Sequence, residues 1–295
     1  MRIQTNGIAL EVEDHGPPSG EPLVLVMGLG MQLLAWHEDF VARLVDRGFR
    51  VIRFDNRDIG LSQSFDAAGV PNLAAASLRH VLGMGVRSPY TLADMAADTV
   101  GLLDALGIAR AHVCGASMGG MIAQHVAVGW PQRVKSLTLM MTSSGARRLP
   151  GPSLKIRSAL ISRPDHPERL DRLVDHYVHL YGLIGSPGYP ADESALRKRL
   201  AVSLTRAYRP AGTARQMVAI VADGDRSPRL GAIAAPTQVI HGRADPLVPV
   251  AAGLDLAAKV RGAALDVIDG MGHDLPTALW PRFVAGIANA AARAA

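Results

Sequence analysis

Apolar residues along the chain gather in short, nearly continuous runs separated by longer stretches of helical period. The runs are LVLVMG (23–28), VIRFDN (51–56), AHVCGA (111–116), SLTLMM (136–141), TQVIHG (237–242) and LDVIDG (265–270). A strand covered on both faces shows no polar side, so such runs, flanked by helices, predict a parallel sheet buried between two helical layers. Helical spacing recurs over 36–47, 92–106, 118–128, 250–260 and 276–292. This alternation predicts a doubly wound, mostly parallel α/β fold. The opening IQTNGIALEVED alternates instead with period two around Asn6-Gly7, which predicts an antiparallel pair joined by a tight turn.

Two stretches interrupt the alternation. Residues 66–90 contain Pro71, Gly83, Gly85 and Pro89, with a short apolar helix expected around LAAASLRHVLGM. Residues 145–230 are helical in pattern, rich in Arg, Tyr and Pro, and contain no run that reads as a parallel strand. They are expected to form a helical cap inserted into a core made of 1–144 and 231–295. An insertion at the carboxyl ends of the strands would lie over the crevice where a doubly wound sheet binds ligands.

Composition narrows the classes. The 295 residues are 48% hydrophobic and 19% charged, ordinary globular values. No apolar run approaches the roughly 18 residues of a membrane span, and the first residues lack the apolar block of a signal peptide. The expectation is a cytoplasmic chain with no membrane partner. The single cysteine, Cys114, excludes an internal disulfide framework and reads as a small buried apolar residue. The formal charge of +5 comes from scattered arginines, interrupted by short clusters such as Arg147-Arg148 and Arg197-Lys198-Arg199. Nucleic-acid binding needs charge focused on one face, so a solvated surface and no nucleic-acid partner are expected.

One short segment concentrates chemistry. Gly115-Ala116-Ser117-Met118-Gly119 fits G-x-S-x-G and stands between a strand run and a helical run. Glycine inside such elements costs roughly 0.5–1 kcal/mol, so Gly115, Gly119 and Gly120 together imply a geometry that larger side chains would block. In that context the serine occupies a strained strand-to-helix turn with its hydroxyl exposed. A lone serine hydroxyl is a poor nucleophile and requires a base and a group that orients the base. Asp245 follows TQVIHG, and His273 follows LDVID, so three strand ends bring Ser117, Asp245 and His273 to one crevice. Backbone donors for a developing oxyanion are expected from Met118 and from Leu29 in the Gly28-Leu29-Gly30 turn.

Competing residues fit less well. His125 lies on the helix after the serine, His241 inside a strand end, and Asp225 and Asp274 are poorly placed to orient His273. His176 and His179 share a helical face, but no carboxylate or cysteine cluster accompanies them, so no metal is expected. Neither a G-x-G-x-x-G loop nor a Walker-type lysine marks a phosphate cradle, and no cofactor is expected.

Taken together, MGLG, FDNRDIGLS, GASMGG, HGRADPLVP and GMGHDLP resemble the α/β-hydrolase superfamily over nearly the whole chain. The MGLG and DNRDIGLS variants resemble a bacterial carboxylesterase branch that includes aclacinomycin methylesterases. The resemblance implies Ser117 as nucleophile, His273 as general base and acid, Asp245 as the orienting acid, and Leu29 and Met118 as oxyanion donors. Two departures stand out. Met27 occupies a position where many relatives carry histidine, and Asp58 one where many carry glycine; Arg57 and Asp58 read as a pair that fixes the loop.

The expected reaction is hydrolysis of a small-molecule carboxylic ester through an acyl-enzyme. Lactone, thioester or carbon–carbon hydrolysis and cofactor-free perhydrolysis stand as alternatives on the same triad, as does a non-enzymatic ligand receptor of this fold. Leu33, Leu34 and Trp36, beyond the oxyanion turn, and Leu78, Val81, Leu82 and Met84, in the 66–90 segment, are the expected lining for an apolar acyl or alcohol group.

Overall fold

The computed structural model describes residues 1–294. Asn6 and Gly7 take positive φ (46° and 75°), the conformation a tight hairpin demands, and join β1 (Arg2–Thr5) to β2 (Ile8–His15) in the expected antiparallel pair. Six further strands follow: β3 (Glu21–Val26), β4 (Phe49–Phe54), β5 (Ala111–Ala116), β6 (Val134–Met140), β7 (Thr237–Gly242) and β8 (Ala264–Ile268). They run parallel to one another in a single sheet of order β1-β2-β4-β3-β5-β6-β7-β8, with β2 antiparallel to β4. Every residue of β5 and β7 is buried, which is why their sequences show no polar alternation.

Successive side chains of β3 feed two cores. Leu23 and Leu25 pack with α1 (Glu38–Val45) and α10 (Trp280–Ala292) through Phe40, Leu44, Phe283 and Ile287. Val24 and Val26 pack on the other face with α3 (Leu92–Ala105), α4 (Met118–Gly129) and α9 (Ala251–Lys259). The strand order reverses between β3 and β5, so the crevice at their carboxyl ends is the switch point of the sheet.

Of the two interruptions, the first carries α2 (Leu73–Val81), opened by the Asn72 side chain accepting the Ala75 N–H at 2.9 Å. The second holds α5 (Leu154–Ile161), α6 (Leu170–Ile184), α7 (Glu193–Arg206) and α8 (Pro210–Asp223), all between β6 and β7. Helices α6 and α7 share a small core of Val174, Leu196 and Leu200, flanked by Tyr177, Tyr181 and Leu204. The 231–295 core range ends on Ala295, which lies outside the described residues.

The glycines around Ser117 are explained by contact. A Cβ on Gly115 would lie 2.2 Å from the Gly119 carbonyl oxygen, and one on Gly119 would lie 2.0 Å from that of Val26. The helix therefore starts directly against β3 and β5. Gly119→Ala is expected to cost about 1–3 kcal/mol through overpacking, seen as a lower urea midpoint at unchanged m-value. A wild-type midpoint would mean that the backbone yields without penalty.

Candidate active site

Ser117 sits at φ 54°, ψ −121°, between β5 and α4. A non-glycine residue there stores on the order of 1–3 kcal/mol of strain, sustained when its surroundings leave it no alternative. Here the Ser117 N–H donates to Met140 O at 2.9 Å, and its carbonyl accepts from Gly120 N at 2.9 Å and from the Thr142 hydroxyl at 2.6 Å. The hydroxyl is consequently pushed out of the turn toward His273. Ser117 Oγ lies 3.0 Å from His273 Nε2, and His273 Nδ1 lies 2.7 Å from Asp245 Oδ2. The other carboxylate oxygen, Asp245 Oδ1, accepts the N–H groups of Leu247 (2.9 Å) and Val248 (2.8 Å). Three residues from three strand ends thus form one continuous hydrogen-bonded line.

His241 approaches the same carboxylate, its Nε2 3.7 Å from Asp245 Oδ2, but it bonds Val248 O at 2.7 Å instead. Burial pushes the pKa of His241 down, which favours its neutral ring.

The turn after β3 faces Ser117. A Cβ on Gly28 would come within 3.1 Å of Ser117 Cβ, so glycine relieves a tight contact where this backbone passes the serine. Within the turn, Gly30 N–H donates to Gln216 Oε1 at 2.9 Å and Met31 N–H to Gly28 O at 3.3 Å. Among the described residues, the N–H groups of Leu29 and Met118 have no protein acceptor, which leaves both free for an incoming oxygen. Met27 contributes its carbonyl, which accepts a hydrogen bond from Asn56 Nδ2 at 2.9 Å.

The helical insertion holds this turn. Besides Gln216 of α8, Arg206 of α7 reaches Gln32 Oε1 at 2.6 Å and Asp55 Oδ2 at 2.7 Å. Asp55 Oδ1 in turn accepts Leu33 N–H at 2.7 Å, and Gln32 Nε2 donates to Ser203 O and Ala207 O. None of Gln216, Arg206, Gln32 and Asp55 is singled out by the sequence. On a helical segment Gln216 and Arg206 look like any solvent-facing polar residue, and no local pattern announces a partner so far away in the chain.

Other expectations meet mixed outcomes. Arg57 and Asp58 do fix the loop, but not as a pair: Arg57 binds Asp98 of α3 at 2.6 Å, while Asp58 binds Arg215 of α8 at 2.6 Å and the Tyr90 hydroxyl at 2.8 Å. The positive φ of Asp58 (75°) turns the two neighbours toward different helices. His125 joins Asp223 at 2.6 Å and so ties α4 to the end of α8. His176 packs edge-on against Tyr177, His179 is exposed, and no group of three metal-ligating side chains occurs among the described residues. Asp225 accepts Ser227 N–H at 2.8 Å, away from the histidine.

The residues expected to line a pocket fall into two different settings. Leu33 and Trp36 are fully buried in the core, where Trp36 stacks on Phe40 at 5.7 Å, and Leu34 is half-buried. Leu78, Val81, Leu82 and Met84 are 48–79% exposed, because α2 buries only Ala76. A recess of about 50 Å³ beside the Gly30–Gln32 turn is lined by residues that include Met31, Tyr177, Tyr181, Leu204, Tyr208 and Thr213, so the insertion supplies most of its wall.

This fold and this arrangement of side chains define the class. The profile described as alpha/beta hydrolase fold matches residues 21–276, and the chain belongs to that family. Among curated relatives, it is 27% identical to rhodomycin D methylesterase DnrP of Streptomyces peucetius, over 97% of this chain and 95% of that one. It is 30% identical to a 2-hydroxy-6-oxononadienedioate/2-hydroxy-6-oxononatrienedioate hydrolase of Paraburkholderia xenovorans, over 89% and 85% of the two chains. Its fold matches that of a meta-cleavage product hydrolase from Pseudomonas fluorescens with a TM-score of 0.76 at 19% identity, covering 100% of this chain and 98% of that one. No helix among the described residues is long and apolar enough to cross a membrane.

Proposed function

We propose that this protein is a carboxylesterase that cleaves a small-molecule ester with an apolar acyl or alcohol part through an acyl-enzyme on Ser117. The observation that carries the reading is the line Asp245–His273–Ser117 at 2.7 and 3.0 Å. The full-length likeness to rhodomycin D methylesterase supports an ester as the bond cleaved. In the first step Ser117 Oγ bonds to the ester carbonyl carbon while His273 Nε2 takes its proton. The carbonyl oxygen gains negative charge, and the free N–H groups of Leu29 and Met118 stabilise it, each such donor being worth about 2.7–4 kcal/mol. The carbon–oxygen bond to the alcohol then breaks, and Nε2–H protonates the departing oxygen. Water attacks the acyl carbon, its proton passes to Nε2, and Ser117 Oγ leaves with that proton as the carboxylic acid is released.

The helical stretch 145–230 serves in this proposal as a cap over the crevice, on the strength of its contacts to the Gly30–Gln32 turn and to the recess. It would exclude water and select esters by size. The test is a panel of p-nitrophenyl and alkyl esters of increasing acyl and alcohol size, read first as a burst of p-nitrophenol. A burst equal to the enzyme concentration is expected; no p-nitrophenol release from any activated ester, either as a burst or in the steady state, would favour a ligand receptor of this fold, and turnover confined to lactones or thioesters would move the reading to those bonds.

The triad and the backbone donors supply nucleophile, base and charge stabilisation without a metal. Dialysis against a chelator is therefore expected to leave the rate unchanged. Activity that disappears and returns with added zinc would shift attention to His176 and His179.

A further inference from the structure

The base of a triad must return to one orientation after each proton transfer, so what grips the residues beside His273 bears on catalysis. The loop is held from the insertion side by the end of α6. Ile184 O accepts the His273 N–H at 2.7 Å, and Gly188 N–H donates to Gly270 O at 2.9 Å. Between these two contacts, Ser186 Oγ accepts the Gly272 N–H at 2.8 Å and donates its own proton to Asp274 Oδ1. One hydroxyl thus binds the residue before the histidine and the residue after it. Ser186 is 5% exposed, so water does not compete freely for these bonds. The approach is close as well: a Cβ on Gly272 would lie 2.2 Å from Gly185 O.

We propose that Ser186 is a positioning residue for His273, clamping Gly272 and Asp274 from the helical insertion so that the imidazole stays between Asp245 and Ser117. The proposal rests on the triad reading above. It makes the insertion part of the catalytic apparatus, since the sheet alone does not supply this clamp. It also gives Asp274 a role distinct from that of Asp245. Burial raises the pKa of Asp274, and its Oδ1 is taken by Ser186. Its expected part is to accept a hydrogen bond, not to place charge on the ring.

Three variants separate these roles: Ser186→Ala, which removes both arms of the clamp, Asp274→Ala, which removes the arm to Asp274, and Asp274→Asn, which keeps an oxygen acceptor and loses the charge. Two readouts apply, steady-state hydrolysis of p-nitrophenyl acetate and the low-field proton resonance of His273 Nδ1–H, which needs no turnover. Displacement of a reacting group by about 1 Å can cost up to about 100-fold, so both alanine variants are expected to lose about 10- to 100-fold in kcat with KM little changed, and to broaden or lose the resonance. Asp274→Asn is expected to restore both. Retention of wild-type kcat and of the resonance in Ser186→Ala overturns the proposal, as does an Asp274→Asn as damaged as Asp274→Ala, which would mean that charge acts directly. Should Ser186→Ala fail to fold by circular dichroism, the Asp274 pair decides by the same readouts. A wild type that turns over no ester but loses the resonance on Ser186→Ala substitution would retain the clamp and refute the esterase reading. A normal burst with an intact resonance in Ser186→Ala would do the reverse.

Discussion

Ser117→Ala is expected to lower kcat by about 10⁶ while KM for an activated ester stays close to wild type. The substitution removes the one atom that bonds to the acyl carbon. The proton acceptor 3.0 Å away and the free N–H groups of Leu29 and Met118 remain. Those groups can still bind and polarise a carbonyl, so a residual rate of about 10³–10⁴ over water is expected to survive. Folding should not contribute to the loss, because alanine keeps the Cβ, and the backbone bonds to Met140, Gly120 and Thr142 that hold the turn are untouched. The variant is measured as purified protein against p-nitrophenyl acetate, with burst titration and circular dichroism as controls. Retention of more than a tenth of wild-type kcat would remove Ser117 from the nucleophile's place.

That Ser117 could be singled out in advance follows from how local its signal is. A strand run, two glycines bracketing a serine and a helical run lie within a dozen residues, although only Gly115 is demanded by a contact inside that stretch, Gly119 being demanded by Val26 of β3. Strand ends were harder to place. The run VIRFDN extends to 56, but β4 stops at Phe54 because Asp55 and Asn56 turn their side chains onto the backbone of Leu33 and Met27. The run LVLVMG likewise extends to 28, but β3 stops at Val26, where the chain bends over Ser117. In both cases residues that read as strand serve the site.

The pocket was not legible, for a different reason. Apolar side chains carry no mark of their destination: Trp36 is taken into the core by stacking on Phe40, while Leu78 and Val81 on α2 stay 60% and 79% exposed. The residues that do wall the recess, Tyr177, Tyr181 and Tyr208, belong to helices whose placing depends on long-range polar bonds such as Gln216 to Gly30 and Arg206 to Asp55. Helical period shows that such segments are helices. It is silent on which ends of the sheet they cover.

Asp245→Asn is expected to cost about 10⁴ in kcat with little change in KM, the scale seen when a triad acid becomes an amide. The hydrogen bonds of this carboxylate explain why the isosteric change is so damaging. Asp245 Oδ1 accepts two backbone N–H groups, from Leu247 and Val248, and Oδ2 accepts from His273 Nδ1. An asparagine must keep its carbonyl oxygen on the two backbone donors, since its NH₂ group cannot face them. The NH₂ then points at His273 Nδ1, which has to act as acceptor, and the ring proton moves to Nε2. Nε2–H faces Ser117 Oγ as a donor and has no lone pair for the serine proton. His241 does not relieve the mismatch, because its own Nε2 is committed to Val248 O. The overall geometry should survive, so the loss appears in kcat and in the burst rate, not in thermal stability. Asp225→Asn is the comparator, its carboxylate being occupied by Ser227 N–H. An Asp245→Asn enzyme within tenfold of wild type, beside an Asp225→Asn enzyme that loses a thousandfold, would place the orienting acid at the wrong residue.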